Sequence, residues 1–346
     1  MTAFFKRNKW WMARVAALPI QLFLFSVLIF AMVRSLPGDP VEIVTGGQYR
    51  PEDYAVIQRG MGLDGTLQEQ FRRYISKLAR LDLGESVISG RPILEDLVLK
   101  LPATVELAVI ALVGTLAFTF LGSYLVVMHP RNLVARGLRA YARTAGAIPE
   151  FALGVVAIFI FYATLKWAPP PLGRLSPFMD APPAVTHLPL VDALISLDGA
   201  VISSMLAHLV LPVGVMVISH APVLLKLLIA ELEAAMDCAP TRFRIASGAG
   251  HLAVMLSLYR RALPPTVTMI GNMFGHLLGG AITIETLFGL DGMGRYTLDA
   301  LMSADLTVMQ SLILVVAALS LVVYLLLDLV NMMLDPRRRP GAQVES

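Results

Sequence analysis

Long apolar runs alternate with short charged segments along the whole chain. The runs cover about Val15–Val33, Pro102–Met128, Ile148–Trp167, Met205–Ile229, Pro264–Phe288 and Thr307–Leu334. Each approaches or exceeds the roughly 20 apolar residues that a membrane-crossing helix needs. The pattern predicts an all-α polytopic membrane protein with about six transmembrane helices. One intervening stretch, Leu36 to Leu99, is soluble in character, with ten acids and seven bases. Within it Leu67, Phe71, Tyr74, Ile75 and Leu78 recur at helical spacing, which predicts an amphipathic helix. Pro102 suits the first turn of the helix that follows. Asp192 to Ser204 reads as a short amphipathic piece before the fourth run. In the fifth run Gly271, Gly275, Gly279, Gly280 and Ala281 permit close helix contact.

Charge orients the spans. Lys6, Arg7, Lys9 and Arg14 precede the first run without any acid. Arg131, Arg136, Arg139 and Arg143 follow the second, Arg242, Arg244, Arg260 and Arg261 the fourth, and Arg337, Arg338 and Arg339 the sixth. These basic segments alternate with basic-poor loops and with the 36–99 segment, which is long enough to cross largely regardless of its charge, and the alternation predicts cytoplasmic N- and C-termini. The first run lacks a small-residue cleavage site and reads as a retained span. The expected division is an N-terminus and first span over 1–34, an outer segment over 35–99, a core over 100–334 and a tail over 335–346. A cytoplasmic loop over 231–262 interrupts the core.

Composition narrows the chemistry. Of the 346 residues 56% are hydrophobic and 15% charged, with a mean hydropathy of +0.70. The net charge of +3 has no groove-reading motif beside it, so no nucleic-acid partner is expected. Cys238 is the only cysteine, which excludes an intrachain disulfide. No phosphate-binding G-x-x-x-x-G-K-[ST] loop occurs, so ATP hydrolysis is not expected of this chain. No nucleophile constellation or metal-ligand spacing is visible, and no metal is expected. Glu106 and Asp328 are intramembrane acids and hence candidates for a pathway role or a structural hydrogen bond. A self-contained proton-coupled carrier using either acid is the alternative these residues leave open.

A set of motifs in fixed order then resembles one family. They are Leu36-Pro-Gly-Asp-Pro40, Gly62-Leu-Asp64 with Gln70 and Asp82-Leu-Gly-Glu-Ser86, Leu101-Pro-Ala-Thr-Val-Glu-Leu107, Gly146-Ala-Ile-Pro-Glu-Phe151 and His208-Leu-Val-Leu-Pro212. Later come Leu278-Gly-Gly-Ala281, Glu285-Thr286, Gly292-Met-Gly-Arg295, Ala300, Asp305, Asp328 and Asp335-Pro-Arg337. Over about 300 residues the chain resembles the inner-membrane permeases of ABC importers, of the dipeptide/oligopeptide type. The resemblance implies a type I ABC importer permease fold with cytoplasmic coupling helices and a sizeable outer segment. It also implies a bacterial inner-membrane location and half of a translocation pathway for peptides or a similar small solute.

The partners implied are a second, similar permease, two ATPase subunits that carry the ATP and Mg, and a periplasmic substrate-binding protein. The loops 36–99, 168–204 and 289–306 become its expected dock. The family's ATPase-coupling loop falls on Glu233, Ala234, Ala235, Asp237, Arg242, Arg244, Ser247, Gly248 and Gly250. Glu285 joins Glu106 and Asp328 as a candidate polar position. The chain departs from the family pattern at Ala239, which stands in place of a glycine, and at Ser247, with Gly248 one residue later. Asp291 replaces a proline in the outer turn.

Overall fold

The computed structural model describes residues 2–35, 39–45, 47–144, 146 and 148–334. The motif residues 36–38 and the basic tail 335–346 lie outside the described residues, as do the side chains of the basic N-terminal segment up to residue 11.

The described chain is helical. Helix α1 (Thr2–Arg34) leads to the short outer helices α2 (Pro40–Thr45), α3 (Tyr54–Gly60) and α4 (Leu67–Leu78). Next come α5 (Ile93–Met128), α6 (Leu133–Thr144) and α7 (Glu150–Ala157), which continues as a π-helical segment through Ile158–Thr164. Then α8 (Pro189–Ser196), α9 (Gly199–Asp237), α10 (Ala239–Ala246), α11 (His251–Phe288), α12 (Met293–Met302) and α13 (Leu306–Leu334) complete the chain.

Five helices are long and apolar enough to cross a membrane: α1, α5, α9, α11 and α13. The sixth expected span, over Ile148–Trp167, is a shorter apolar helix from Glu150 to Thr164. Its 15 residues rise about 22 Å at 1.5 Å each, against a hydrocarbon core of roughly 30 Å.

The helices overrun the apolar runs, because charged residues continue a helix once it is nucleated. Pro102 therefore lies inside α5 and not in its first turn, which holds Glu95 and Asp96. The piece over 192–204 is divided between α8 and α9, where the Asp198 carboxylate accepts from the Ala200 and Val201 amides. Helix α11 starts at His251 and carries Pro264 and Pro265 in its interior.

The core is a three-helix stack of α5, α9 and α11. Leu107, Ala108 and Ala111 of α5 meet Met216 and Leu224 of α9, and Leu277, Leu278 and Ala281 of α11, all at most 1% exposed. Of the fifth span's small residues, Gly271 admits the Tyr324 ring of α13 and Gly280 lies under the Glu150 carboxylate. Gly279 faces open space. Helix α1 packs on α13, and α4 covers its outer end: Phe30 lies 5.2 Å from Phe71 and 5.7 Å from Tyr74. Thr66 and Glu69 close the start of α4 in a capping box. Phe71, Tyr74, Ile75 and Leu78 are covered as the spacing predicts, while Leu67, at the first turn, is exposed.

Candidate functional site

Two sites stand at opposite ends of the three-helix stack. The first is the connection between α9 and α11. Helix α9 stops at Cys238, whose extended backbone (φ −72°, ψ 146°) turns the chain into α10. Pro240 pre-sets the first turn of α10. Thr241, fully buried, sits 3.1 Å from the Cys238 sulfur, and Arg261 of α11 donates to the same sulfur at 3.1 Å. The Thr241 hydroxyl and amide, and then the Arg261 charge, hold the Cys238 thiol below its ordinary pKa against the opposing effect of burial.

The far end of α10 is a Schellman turn. Gly248 (φ +77°) gives its amide to Ile245 O, and Ala249 gives its amide to Arg244 O, both at 3.1 Å. Ser247 keeps an ordinary helical φ of −78°. The glycine is therefore needed one residue later than the family pattern places it, because only the position after the cap takes a left-handed backbone.

Side chains of this connection divide by face. Glu233 pairs with Arg139 of α6 at 2.7 Å. Ala235 is buried against Leu232, Leu258 and Ala262. Asp237 pairs with Arg242 at 3.2 Å on the surface. Ala234, Arg244, Ser247, Gly248 and Gly250 are exposed. Beside them stand Phe243 (73% exposed), Ile245, Leu252 and Leu256. These four apolar residues are absent from the motif-based site. Their signal in the sequence was apolar character inside a loop otherwise rich in arginine.

The second site is a buried charge cluster at the opposite ends of the same helices. Arg174, from the proline-rich segment before α8, donates 3.0 Å to Glu106 of α5 and 2.7 Å to Ala103 O, and lies 4.0 Å from Glu285 of α11. The other Glu106 oxygen accepts the Leu190 and Val191 amides at the start of α8. Glu285 accepts the Gly294 amide at the start of α12. The Thr104 hydroxyl accepts the neighbouring Met293 amide. Each acid thus faces the positive end of a short outer helix, and one arginine joins them. Burial pulls the Arg174 guanidinium below its usual pKa, while Glu106 and then Glu285 act to raise it.

The motifs named both acids and did not single out Arg174. Nothing in its neighbourhood of prolines marks it as buried. Asp328 stands on α13, apart from this cluster. His208 directs Nδ1 to Ser204 O at 2.7 Å within α9. Among the described residues no group of three His, Cys, Asp or Glu side chains could hold a metal ion.

A multi-helix membrane core carrying a short helix with an exposed basic and apolar face is the arrangement to set beside known proteins. Residues 100–340 match the family model of the binding-protein-dependent transport system inner membrane component. Residues 8–108 match the model of the N-terminal part of such membrane components. The chain belongs to this family. It is a multi-pass membrane permease subunit of an ABC importer, which sets aside the self-contained carrier.

The chain is similar to a probable D,D-dipeptide transport system permease protein of Escherichia coli (strain K12), 32% identical over 90% of this chain and 92% of that one. A di/tripeptide transport system permease protein of Pseudomonas aeruginosa (strain UCBPP-PA14) is 30% identical, covering 91% and 94%. A dipeptide transport system permease protein of Escherichia coli (strain K12) is 32% identical, covering 91% and 94%.

Proposed function

We propose that this permease forms half of a transmembrane pathway for short peptides and pairs with a second, similar permease. Two ATPase subunits, which hold the ATP and Mg and hydrolyse the nucleotide, dock on the cytoplasmic loops of the two permeases, in this chain the 231–262 connection. A periplasmic binding protein delivers the peptide to the outer loops, and both termini are cytoplasmic. The peptide substrate class follows the names of the relatives.

The observation that carries the docking reading is the surface of α10 and the first turns of α11. Phe243, Ile245, Leu252 and Leu256 are exposed beside Arg242 and Arg244 at the joint of two core helices. Apolar side chains ringed by arginine are typical of the centre of a protein interface. The joint is built to transmit force. Cys238, Thr241 and Arg261 tie α10 to both helices, and Glu233 ties α9 to α6. A displacement of α10 by the ATPases therefore moves α9 and α11 with it. Nucleotide binding acts by favouring one of the two pathway states.

The test is an affinity pull-down of the tagged full chain from its own membranes, read by mass spectrometry, with wild type beside Phe243→Glu. Wild type is expected to bring down an ATPase, a second permease and no soluble enzyme. The variant should keep the permease and lose the ATPase. Equal ATPase recovery with both chains would overturn the assigned docking face.

A further inference from the structure

At the end of α1 that meets α4 the chain frames a half-open pocket of about 520 Å³ that neither the α10 surface nor the Arg174 cluster uses. Its walls come from the last turn of α1, the stretch from Arg59 through α4, residues 82–87 after it, and the first turns of α13. Two residues on these walls carry a buried polar atom without a hydrogen-bond partner, Arg34 Nε and Gln70 Oε1. Buried polar groups are hydrogen-bonded as a rule, so the two together mark a place built for a polar group.

The orientation of Gln70 is settled by its own bonds. Its amide nitrogen donates to Leu63 O at 2.9 Å and Gly65 O at 3.2 Å, which leaves Oε1 as the free acceptor.

The lining is also charged. Arg73 is paired with Asp64 at 2.8 Å. Arg34, Arg59 and Lys77 line the cavity with no carboxylate partner among the described residues. The Arg34 guanidinium lies 5.2 Å from the Phe30 ring centre, held at the rim and not turned to bulk water. Unpaired guanidinium and ammonium groups around a polar cavity select a phosphate-like anion. Asp82 and Glu85 on the opposite wall, with Gln70 Oε1, suit a donor attached to that anion.

Below the cavity the same face of α1 is apolar and half-exposed, with Phe23 edge-on to Phe71 at 6.4 Å. Phe23 stands seven residues before Phe30 and Val27 seven before Arg34 on one stripe, and they are 50% and 37% exposed. A polar, cationic hollow above an apolar stripe on a membrane helix has the two-part chemistry of a phospholipid.

We propose that this cavity binds the phosphate diester of a phospholipid. Arg34 and Lys77 hold the phosphate. Gln70 and the two acids accept from the ammonium or hydroxyl of the headgroup, and an acyl chain lies along Phe23 and Val27. The leaflet is the outer one if the termini are cytoplasmic as proposed above; the site itself does not depend on that orientation.

The test uses the full chain purified in detergent and stripped of lipid. Phosphatidylethanolamine or phosphatidylglycerol is added and retained lipid is counted by native mass spectrometry. Wild type stands beside Arg34→Gln, Lys77→Gln and the remote surface control Arg295→Gln. Wild type is expected to retain one lipid, and loss of one charge-assisted contact should weaken retention about tenfold in each of the first two variants. Arg295→Gln should match wild type. Lys77 is exposed, so its variant keeps the test valid even where Arg34→Gln folds poorly. Equal retention by wild type and Lys77→Gln would overturn the site. A separate arm adds inorganic phosphate alone. Binding of phosphate without retention of either lipid would overturn the lipid as its source.

Discussion

The Tyr141 hydroxyl of α6 donates 2.6 Å to the Ile218 carbonyl at the midpoint of α9. That carbonyl is the one left without its helical partner by Pro222, which has no amide hydrogen to return four residues back. A break that proline opens in one helix is closed by a side chain of another. Tyr141→Phe keeps the ring against Phe118 and removes only the donor. It should cost about 0.5–1.5 kcal/mol, the net worth of a typical hydrogen bond. Thermal unfolding in detergent checks this. In a Pro222→Ala background, where the helical amide returns, the same change should cost much less.

Gly248 is held at φ +77° with nothing within 4 Å of where a Cβ would stand. Gly248→Ala should therefore destabilise through the backbone alone, by about 1–2 kcal/mol for a left-handed residue. Ser247→Gly, which restores the family's residue at its usual position, should be close to neutral. Paired unfolding curves distinguish the two positions. If the α10 surface docks the ATPases, the first variant should also weaken their recovery.

Arg174 and Glu106 are 7% and 6% exposed at their side chains. Arg174→Met leaves two buried acids facing each other without the cation that joins them. Removing one partner of such a pair costs about 3–5 kcal/mol. Limited proteolysis should show cleavage in the segment before α8, which loses its anchor. The double change Arg174→Met with Glu106→Gln should recover part of the loss, because it strands less charge.

The Cys238 thiol offers a pH readout at the joint. Its pKa is lowered, chiefly by bonds from Thr241 and then by the Arg261 charge. A lower pKa means more thiolate at a given pH and faster alkylation. Thr241→Val should raise the pKa and move the rate profile of maleimide labelling to higher pH. Arg261→Gln should move it in the same direction by less. Unchanged profiles in both variants would contradict the assigned bonds.

The alternation of apolar runs and arginine clusters was enough to read a polytopic helical protein, because the cost of charge in hydrocarbon acts residue by residue along the chain. The motifs from Leu101 to Asp305 carried the family, and the stretch from Glu233 to Gly250 carried the candidate coupling loop. Three things depended on the folded chain. Helix ends overran the apolar runs, since Pro102 and Pro264 are tolerated inside helices packed on both sides. The glycine at 248 made sense only once the Schellman turn defined which residue needs a left-handed backbone. Arg174 became a buried bridge only when α5, α8, α11 and α12 met around it. Hydropathy is local and survives in a one-dimensional reading. The pairing of Arg174 with Glu106, 68 residues away, and of Tyr141 with Ile218, 77 residues away, is set by which helices pack together, and only the tertiary structure decides that.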